Sequence, residues 1–328
     1  MDNNVSNTMP DVESTEECSL SFEEKRIVTR HYGIEHVRNW KRNDRGLVNV
    51  SYELDDSYFL TIHRNKTRDQ IEAIAQVVHG MDGFIPIARP LCGPTGYSAK
   101  LKLGHTLLNP RLQGMHYVRT AHTEKIPIPI NLHHSLAIFF WQLQKRLSAV
   151  STRLKERLAS DSVIKIGAMP KQLPEVAKPL VRYSSEGNAP DFTYLDLIHD
   201  DMERQNILSV RDKITGLVDL DSIRTGDILH EFAHFLFNFA LCDPQANWSI
   251  LDVYMEELIK AGIILPKDIP YLHTYVVRFA LSDVIDFEKL VSQPQCEEHR
   301  KINLRLLVSQ YEHALALAST FFHKEFAL

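Results

Sequence analysis

The apolar pattern of this chain changes in character near Asn109-Pro110, from short β-prone runs with two short helices among them to a mainly helical pattern, and that change restricts the folds open to it. Before it, apolar residues recur at every second position in short runs. Val48, Val50 and Tyr52 alternate with polar neighbours, Asp55-Asp56 supplies a turn, and Tyr58 to Ile62 is a second β-prone run, a pattern that predicts an antiparallel hairpin. A short helix begins at the capping box Ser21-Glu24 and ends at Gly33, and a second is expected from Asp69 to His79, with Ile71, Ile74, Ala75 and Val78 on one face. Beyond the change the period is helical. His133 to Val150 carries Leu136, Phe139, Phe140, Leu143 and Leu147 along one face, as a core helix does. Two β-prone runs, Leu195 to Ile198 and Ile214 to Leu220, interrupt a pattern that is otherwise helical to the end. The expected class is α+β: a small N-terminal lobe with an antiparallel sheet and a larger, mainly helical C-terminal lobe.

Residues 1–19 are polar and lack periodic apolar positions, the composition of a solvated tail. Tyr97 to Leu108 gives two strand candidates broken at Gly104, and Pro110 restricts Asn109 to extended conformations, so the joint between lobes is expected there. The lobes are then residues 20–108 and 109–328. The proline-containing stretch from Ala168 to Pro190 is expected to be a long loop or an insertion.

Composition removes several classes of function. With 44% hydrophobic and 24% charged residues among 328, the chain is an ordinary globular one. A formal net charge of −5 offers no basic field for nucleic acid. The four cysteines, Cys18, Cys92, Cys242 and Cys296, form neither a C-x-x-C pair nor a disulfide framework, which suits a reducing compartment. No apolar run is long enough to span a bilayer and no cationic leader is present, so a cytoplasmic protein without a membrane partner is expected.

The segment richest in chemistry is Leu197-Ile198-His199-Asp200-Asp201-Met202-Glu203-Arg204-Gln205-Asn206. His199, Asp201 and Asn206 have the H-x-D-x-x-x-x-N spacing of a kinase catalytic loop, and Asp219 ends a short apolar run thirteen residues later. Phosphoryl transfer asks little covalent chemistry of a protein, which must orient the attacking hydroxyl and hold magnesium against the phosphate oxygens. Asp201 is the candidate base, His199 a catalytic-loop brace, and Asn206 and Asp219 are hard oxygen ligands suited to Mg2+. Asp221 is read either as a further metal contact or as a turn cap.

This segment resembles the catalytic loop of the aminoglycoside phosphotransferase family. So does Arg224-Thr225-Gly226-Asp227-Ile228-Leu229-His230-Glu231-Phe232-Ala233, similar to the family's G-D-x-x-x-D-L-A element with Glu231 in place of an aspartate. Gly46-Leu47-Val48-Asn49-Val50-Ser51-Tyr52 resembles the G-x-x-N-x-x-Y nucleotide loop of the homoserine kinase branch, and Phe59 to Ile62 its following strand, where Thr61 stands in the place of a phosphate-binding lysine. The resemblance implies a bilobal protein-kinase-like fold and ATP with Mg2+. Gly46, Asn49, Thr61 and the strand ending at Leu108 would meet the nucleotide, and a small molecule with a hydroxyl would be the acceptor. An amine on that acceptor is suggested by Asp283, Asp286 and Glu288. The competing reading is a pseudokinase of the same fold, which the missing lysine favours and the retained Asp201, Asn206 and Asp219 oppose. A kinase acting on proteins is not supported, since no A-P-E element follows Asp219. The sixteen histidines are expected at the surface or at caps, with no zinc site, and Phe139, Phe140 and Trp141 in lobe packing.

Overall fold

The computed structural model describes residues 19–43, 49–81, 83, 87–112, 116–117, 120–121, 124–125, 127–158, 173–184, 195–210, 213–291 and 304–325. The chain divides into two compact units, one of residues 1–75 and 89–111, the other of residues 76–88 and 112–328.

The first unit opens with α1 (Phe22–Tyr32). Ser21 Oγ accepts from the Glu24 amide at 3.2 Å, Glu24 Oε2 accepts from the Ser21 amide at 3.0 Å, and Gly33 closes the helix at φ +64°. Strands β1 (Trp40–Asn43), β2 (Val50–Leu54) and β3 (Tyr58–His63), then helix α2 (Arg68–Gly80), of which residues 68–75 belong to this unit, and β4 (His105–Pro110), complete the element order. The strands form an antiparallel sheet in the order β1-β2-β3-β4, with Tyr52 opposite Leu60 and Leu60 opposite Leu108. Alternation sends Leu54, Leu60, Ile62 and Leu108 to one face, where all four are fully buried in a cluster with Val28 and Tyr32 of α1. Leu107 points to the other face and packs on Ile71 and Ala75 of α2. Each such leucine removed from water contributes about 1.5–3 kcal/mol.

Two local expectations change here. Pro110 does not interrupt the strand, because β4 ends the sheet order β1-β2-β3-β4 and an edge strand tolerates a residue without an N–H. Tyr97 to Leu103 is not a strand: Thr106 N bonds Ala99 O at 2.9 Å and Leu101 N bonds Gly104 O at 2.9 Å, a tight reversal. Gly104 permits it, since a Cβ there would lie 2.1 Å from the His63 carbonyl oxygen.

The second unit contains β5 (His116–Tyr117), β6 (Thr120–Ala121), β7 (Glu124–Lys125), α3 (Ile130–Ser148), α4 (Thr152–Arg157) and α5 (Lys178–Val181). Then follow β8 (Leu195–Ile198), β9 (Ile207–Val210), β10 (Lys213–Leu217), β11 (Arg224–Asp227), α6 (Ile228–Leu236), α7 (Trp248–Lys260), α8 (Ile269–Val291) and α9 (Leu304–Glu325). Its core is aromatic: Phe140 of α3 stacks on Phe235 of α6 at 4.6 Å and also meets Phe232 at 5.5 Å. Within the expected loop from Ala168 to Pro190, α5 forms with Pro179 in its first turn, where a missing amide costs nothing; the rest lies outside the described residues, apart from a 3-10 turn at Glu175–Ala177 and its flanks. Among the described residues no helix is long and apolar enough to cross a membrane.

Candidate active site

The expected catalytic loop runs from the end of β8 to the start of β9. Strand β8 is held on one side by β11, with Ile198 opposite Arg224, and its Leu197 carbonyl accepts from Gln144 Nε2 of α3 at 2.9 Å. Gly226 lies under Ile198, where a Cβ would come within 2.3 Å of its Cδ1. Strands β9 and β10 pair antiparallel, with Ile207 opposite Leu217, and Val218 N donates to Asn206 O at 2.9 Å. That bond brings Asp219, the next residue, beside Asn206.

Asn206 is buried, and its Nδ2 donates both to Asp201 O at 2.9 Å and to Asp201 Oδ2 at 2.8 Å. With both bonds made through Nδ2, the amide oxygen of Asn206, a hard oxygen, is turned away from Asp201. Burial pushes the Asp201 carboxyl up to about 6, with help from the Glu203 charge and against the pull of His234 and the Asn206 hydrogen bond. Asp219 is exposed and left-handed at φ +59°, just before a 3-10 turn at Leu220–Ser222; Asp221 inside that turn is 8% exposed.

His199 is fully buried, and burial pushes its pKa down to about 4, so it is neutral at neutral pH. The Val218 backbone opposes that shift slightly, yet neither ring nitrogen meets hydrogen-bond geometry with any described group. It is packed into the interior of the loop. The expectation of surface histidines is corrected more widely, since His63, His133, His199, His234 and His273 are all buried. His133 shows why: its Nδ1 lies 3.0 Å from Tyr254 Oη, which lets an imidazole occupy the apolar side of α3. Phe139 and Phe140 are buried as expected, while Trp141 is half-buried beneath the Lys145 ammonium at 4.7 Å.

Three residues outside the H-x-D-x-x-x-x-N spacing shape the loop. Asp200 is left-handed at φ +63°, and Arg224 of β11 grips its carboxylate with both Nε and Nη2, the latter at 2.6 Å from Oδ1. Glu231 of α6, 1% exposed, accepts from the His199 amide at 3.1 Å and the Asp200 amide at 3.1 Å. Burial pushes its carboxyl up to about 7. One turn further along α6, His234 brings Nε2 to 3.8 Å from Glu203 Oε1 and stacks on Phe279 at 4.2 Å. Burial disfavours the His234 cation, but Glu203, Glu231 and Asp201 outweigh it and its pKa is raised. Glu231 was visible in the sequence as a departure from aspartate; Asp200 and His234 carried no signal beyond their neighbours.

The remaining expected residues lie in the first unit or outside the described residues. Gly46 falls outside them. Asn49 stands half-buried just before β2. Thr61 is half-buried on the sheet face it shares with Leu107. The Leu108 side chain lies on the opposite face, in the core beneath α1, so only its backbone is presented at the sheet edge, where its carbonyl accepts from Leu91 N at 2.8 Å. In the second unit Asp283 accepts from Tyr311 Oη and Asp286 pairs with Lys289 at 2.9 Å. No group of three or more His, Cys, Asp or Glu side chains converges as a metal cage among the described residues.

No protein-family model and no curated protein matches the sequence. Solved structures do match. Aminoglycoside 2'-phosphotransferase-IIIa in its GDP complex aligns with a TM-score of 0.60 at 13% identity, over 88% of this chain and 97% of that one. Amicoumacin kinase in complex with AMP-PNP and Ca2+ aligns at 0.61 and 12%, over 90% and 94%. Spectinomycin phosphotransferase in complex with ADP and spectinomycin aligns at 0.57 and 13%, over 90% and 97%. The chain has the bilobal protein-kinase-like fold that these small-molecule phosphotransferases share.

Proposed function

We propose that the chain is an ATP-dependent kinase that phosphorylates a hydroxyl of a small molecule. The observation that carries this reading is the Asp201–Asn206–Asp219 arrangement: Asn206 holds Asp201 Oδ2 at 2.8 Å through its amide nitrogen while its backbone oxygen receives the amide next to Asp219. In the reaction, Asp201 takes the proton of the acceptor hydroxyl as its oxygen attacks the γ-phosphorus of ATP. The bond from that phosphorus to the β,γ-bridging oxygen breaks, and ADP leaves with the bond's electron pair. A carboxyl raised to about 6 is still largely ionised at neutral pH and is a stronger base than an ordinary aspartate.

Magnesium would be held by the Asn206 amide oxygen and the Asp219 carboxylate. Their chemistry fits, because this ion takes hard oxygens and usually one or two protein groups together with substrate phosphates. When bound it neutralises phosphate charge. Gly46, Asn49, Thr61 and the backbone at Leu108 would serve the nucleotide, as the resemblance implies. Amino alcohols, homoserine-like amino acids and aminoglycosides are the acceptor classes we infer, supported by solved relatives with kanamycin and spectinomycin in their complexes. Thr61 in the place of a lysine favours a second reading, a pseudokinase that binds nucleotide without turnover.

One experiment separates the two: ATP consumption with magnesium present, screened against those acceptor classes, with Asp201→Asn in parallel. An active kinase consumes ATP with at least one acceptor, and Asp201→Asn lowers kcat by about two to four orders of magnitude while leaving the KM for ATP unchanged. Nucleotide binding without turnover across the panel would favour the pseudokinase. Near wild-type turnover by Asp201→Asn would remove Asp201 as the base.

A further inference from the structure

Arg204 sits between Asp201 and Asn206, takes no part in the reaction as proposed, and is only 2% exposed. A guanidinium is buried at a cost unless its charge and its N–H groups find partners. Here they do. Nη2 lies 3.2 Å from Asp243 Oδ2, and Nε donates to the Asn238 carbonyl at 2.8 Å. Asp243 is itself fixed, with Oδ2 receiving the Ile128 amide and Oδ1 the Gln245 amide, each at 2.9 Å.

The Asn238 carbonyl is available because the helix is irregular at this point. After Leu236, α6 runs into one π-helical turn, Phe237–Leu241. In a continuous α-helix the Cys242 amide would bond Asn238 O; it bonds Phe237 O instead, at 2.9 Å. The shift by one residue releases the Asn238 carbonyl, and the guanidinium takes it. The Asn238 side chain turns to the same loop, with Nδ2 at 3.4 Å from Met202 O. Arg204 also begins the 3-10 turn that presents Asn206, whose amide bonds Glu203 O at 3.0 Å. The loop is thus held by Glu231 at His199 and Asp200, and by the π turn at Met202 and Arg204.

We propose that Arg204 is a positioning residue: seated on the carbonyl that the π-helical turn releases, it fixes the register in which Asp201 and Asn206 meet. This rests on Asp201 being the base, so its test includes a readout that does not need turnover. Arg204→Lys in the full chain keeps a charge for Asp243 but has one nitrogen, which cannot reproduce the fork across Asn238 O and Asp243. Amide hydrogen exchange in 199–208 and 237–243 should quicken about tenfold, with α8 unchanged. The kcat should fall about ten- to a hundredfold, with the KM for ATP within about twofold of wild type.

Unchanged exchange in 199–208 would overturn the proposal, and so would exchange that quickens equally through α7, α8 and α9, the mark of a merely structural arginine. Asn238→Ala covers the case in which Arg204→Lys does not fold. It leaves the carbonyl and the ion pair in place, so it should quicken exchange at 201–204 alone, and no change there would equally overturn the proposal. If wild type transfers no phosphate, the kinase reading fails while the exchange results still decide whether Arg204 and the π turn hold the loop.

Discussion

Replacing Glu231 with alanine removes the acceptor of two backbone amides and a buried carboxyl together, and the two effects have opposite signs. The amides of His199 and Asp200 donate to this carboxylate at 3.1 Å each. An orphaned buried donor costs about 1–3 kcal/mol, hence about 2–6 kcal/mol for the pair. Against this, burial raises the Glu231 carboxyl from 4.5 to about 7, so its ionised form carries a penalty of about 3 kcal/mol. Folded Glu231 binds its proton more tightly than the unfolded chain does. Wild-type stability is therefore free of this penalty below about pH 4.5, declines as pH rises towards about 7, and levels off above it. Alanine has no such dependence, while His234 keeps the pull of Glu203 and Asp201 in both proteins and loses only that of Glu231 in the variant. The destabilisation caused by Glu231→Ala should be smaller by about 2–3 kcal/mol at pH 8 than at pH 5. Urea unfolding of both proteins across that range measures it. A destabilisation that stays constant over the range, or grows towards alkaline pH, would refute the balance argued here.

If Asp201 is the base, kcat/KM should fall about tenfold per unit below about pH 6, because only the ionised carboxylate accepts a proton; a profile flat down to about pH 5 would contradict its raised pKa. Asp219→Asn should abolish the dependence of nucleotide affinity on magnesium, since a neutral amide does not offset the metal charge, and isothermal titration with and without magnesium reads this directly. Unchanged affinity in that variant would remove Asp219 from the metal site.

Much of the frame was legible because the terms that set it act between near neighbours in the chain. The capping box at Ser21 and Glu24, the apolar face of α3, and the alternation in β2 and β3 all follow from spacing within a few residues. The same holds for the loop: the H-x-D-x-x-x-x-N spacing suffices for Asn206 to fold back on Asp201 within one short turn. Strand β11 was not legible, since Arg224-Thr225-Gly226-Asp227 has no β pattern of its own and is a strand only because β8 pairs with it. Leu107 and Leu108, adjacent in sequence, lie on opposite faces of the sheet, and which face meets α1 and which meets α2 was decided by tertiary packing.

What the sequence by itself determined is therefore the class of fold, the helices with a clear apolar face, and the set of oxygen and carboxylate groups brought together by spacing. The tertiary structure decided which charges are buried and what satisfies them. Glu231 reaches the His199 amide across 32 positions, and Arg204 reaches the Asn238 carbonyl across 34. The physical reason lies in desolvation. A buried charge or amide persists only where a distant segment supplies its partner, and one of the two partners of Arg204, the Asn238 carbonyl, is released where a helix changes its hydrogen-bond register by one residue.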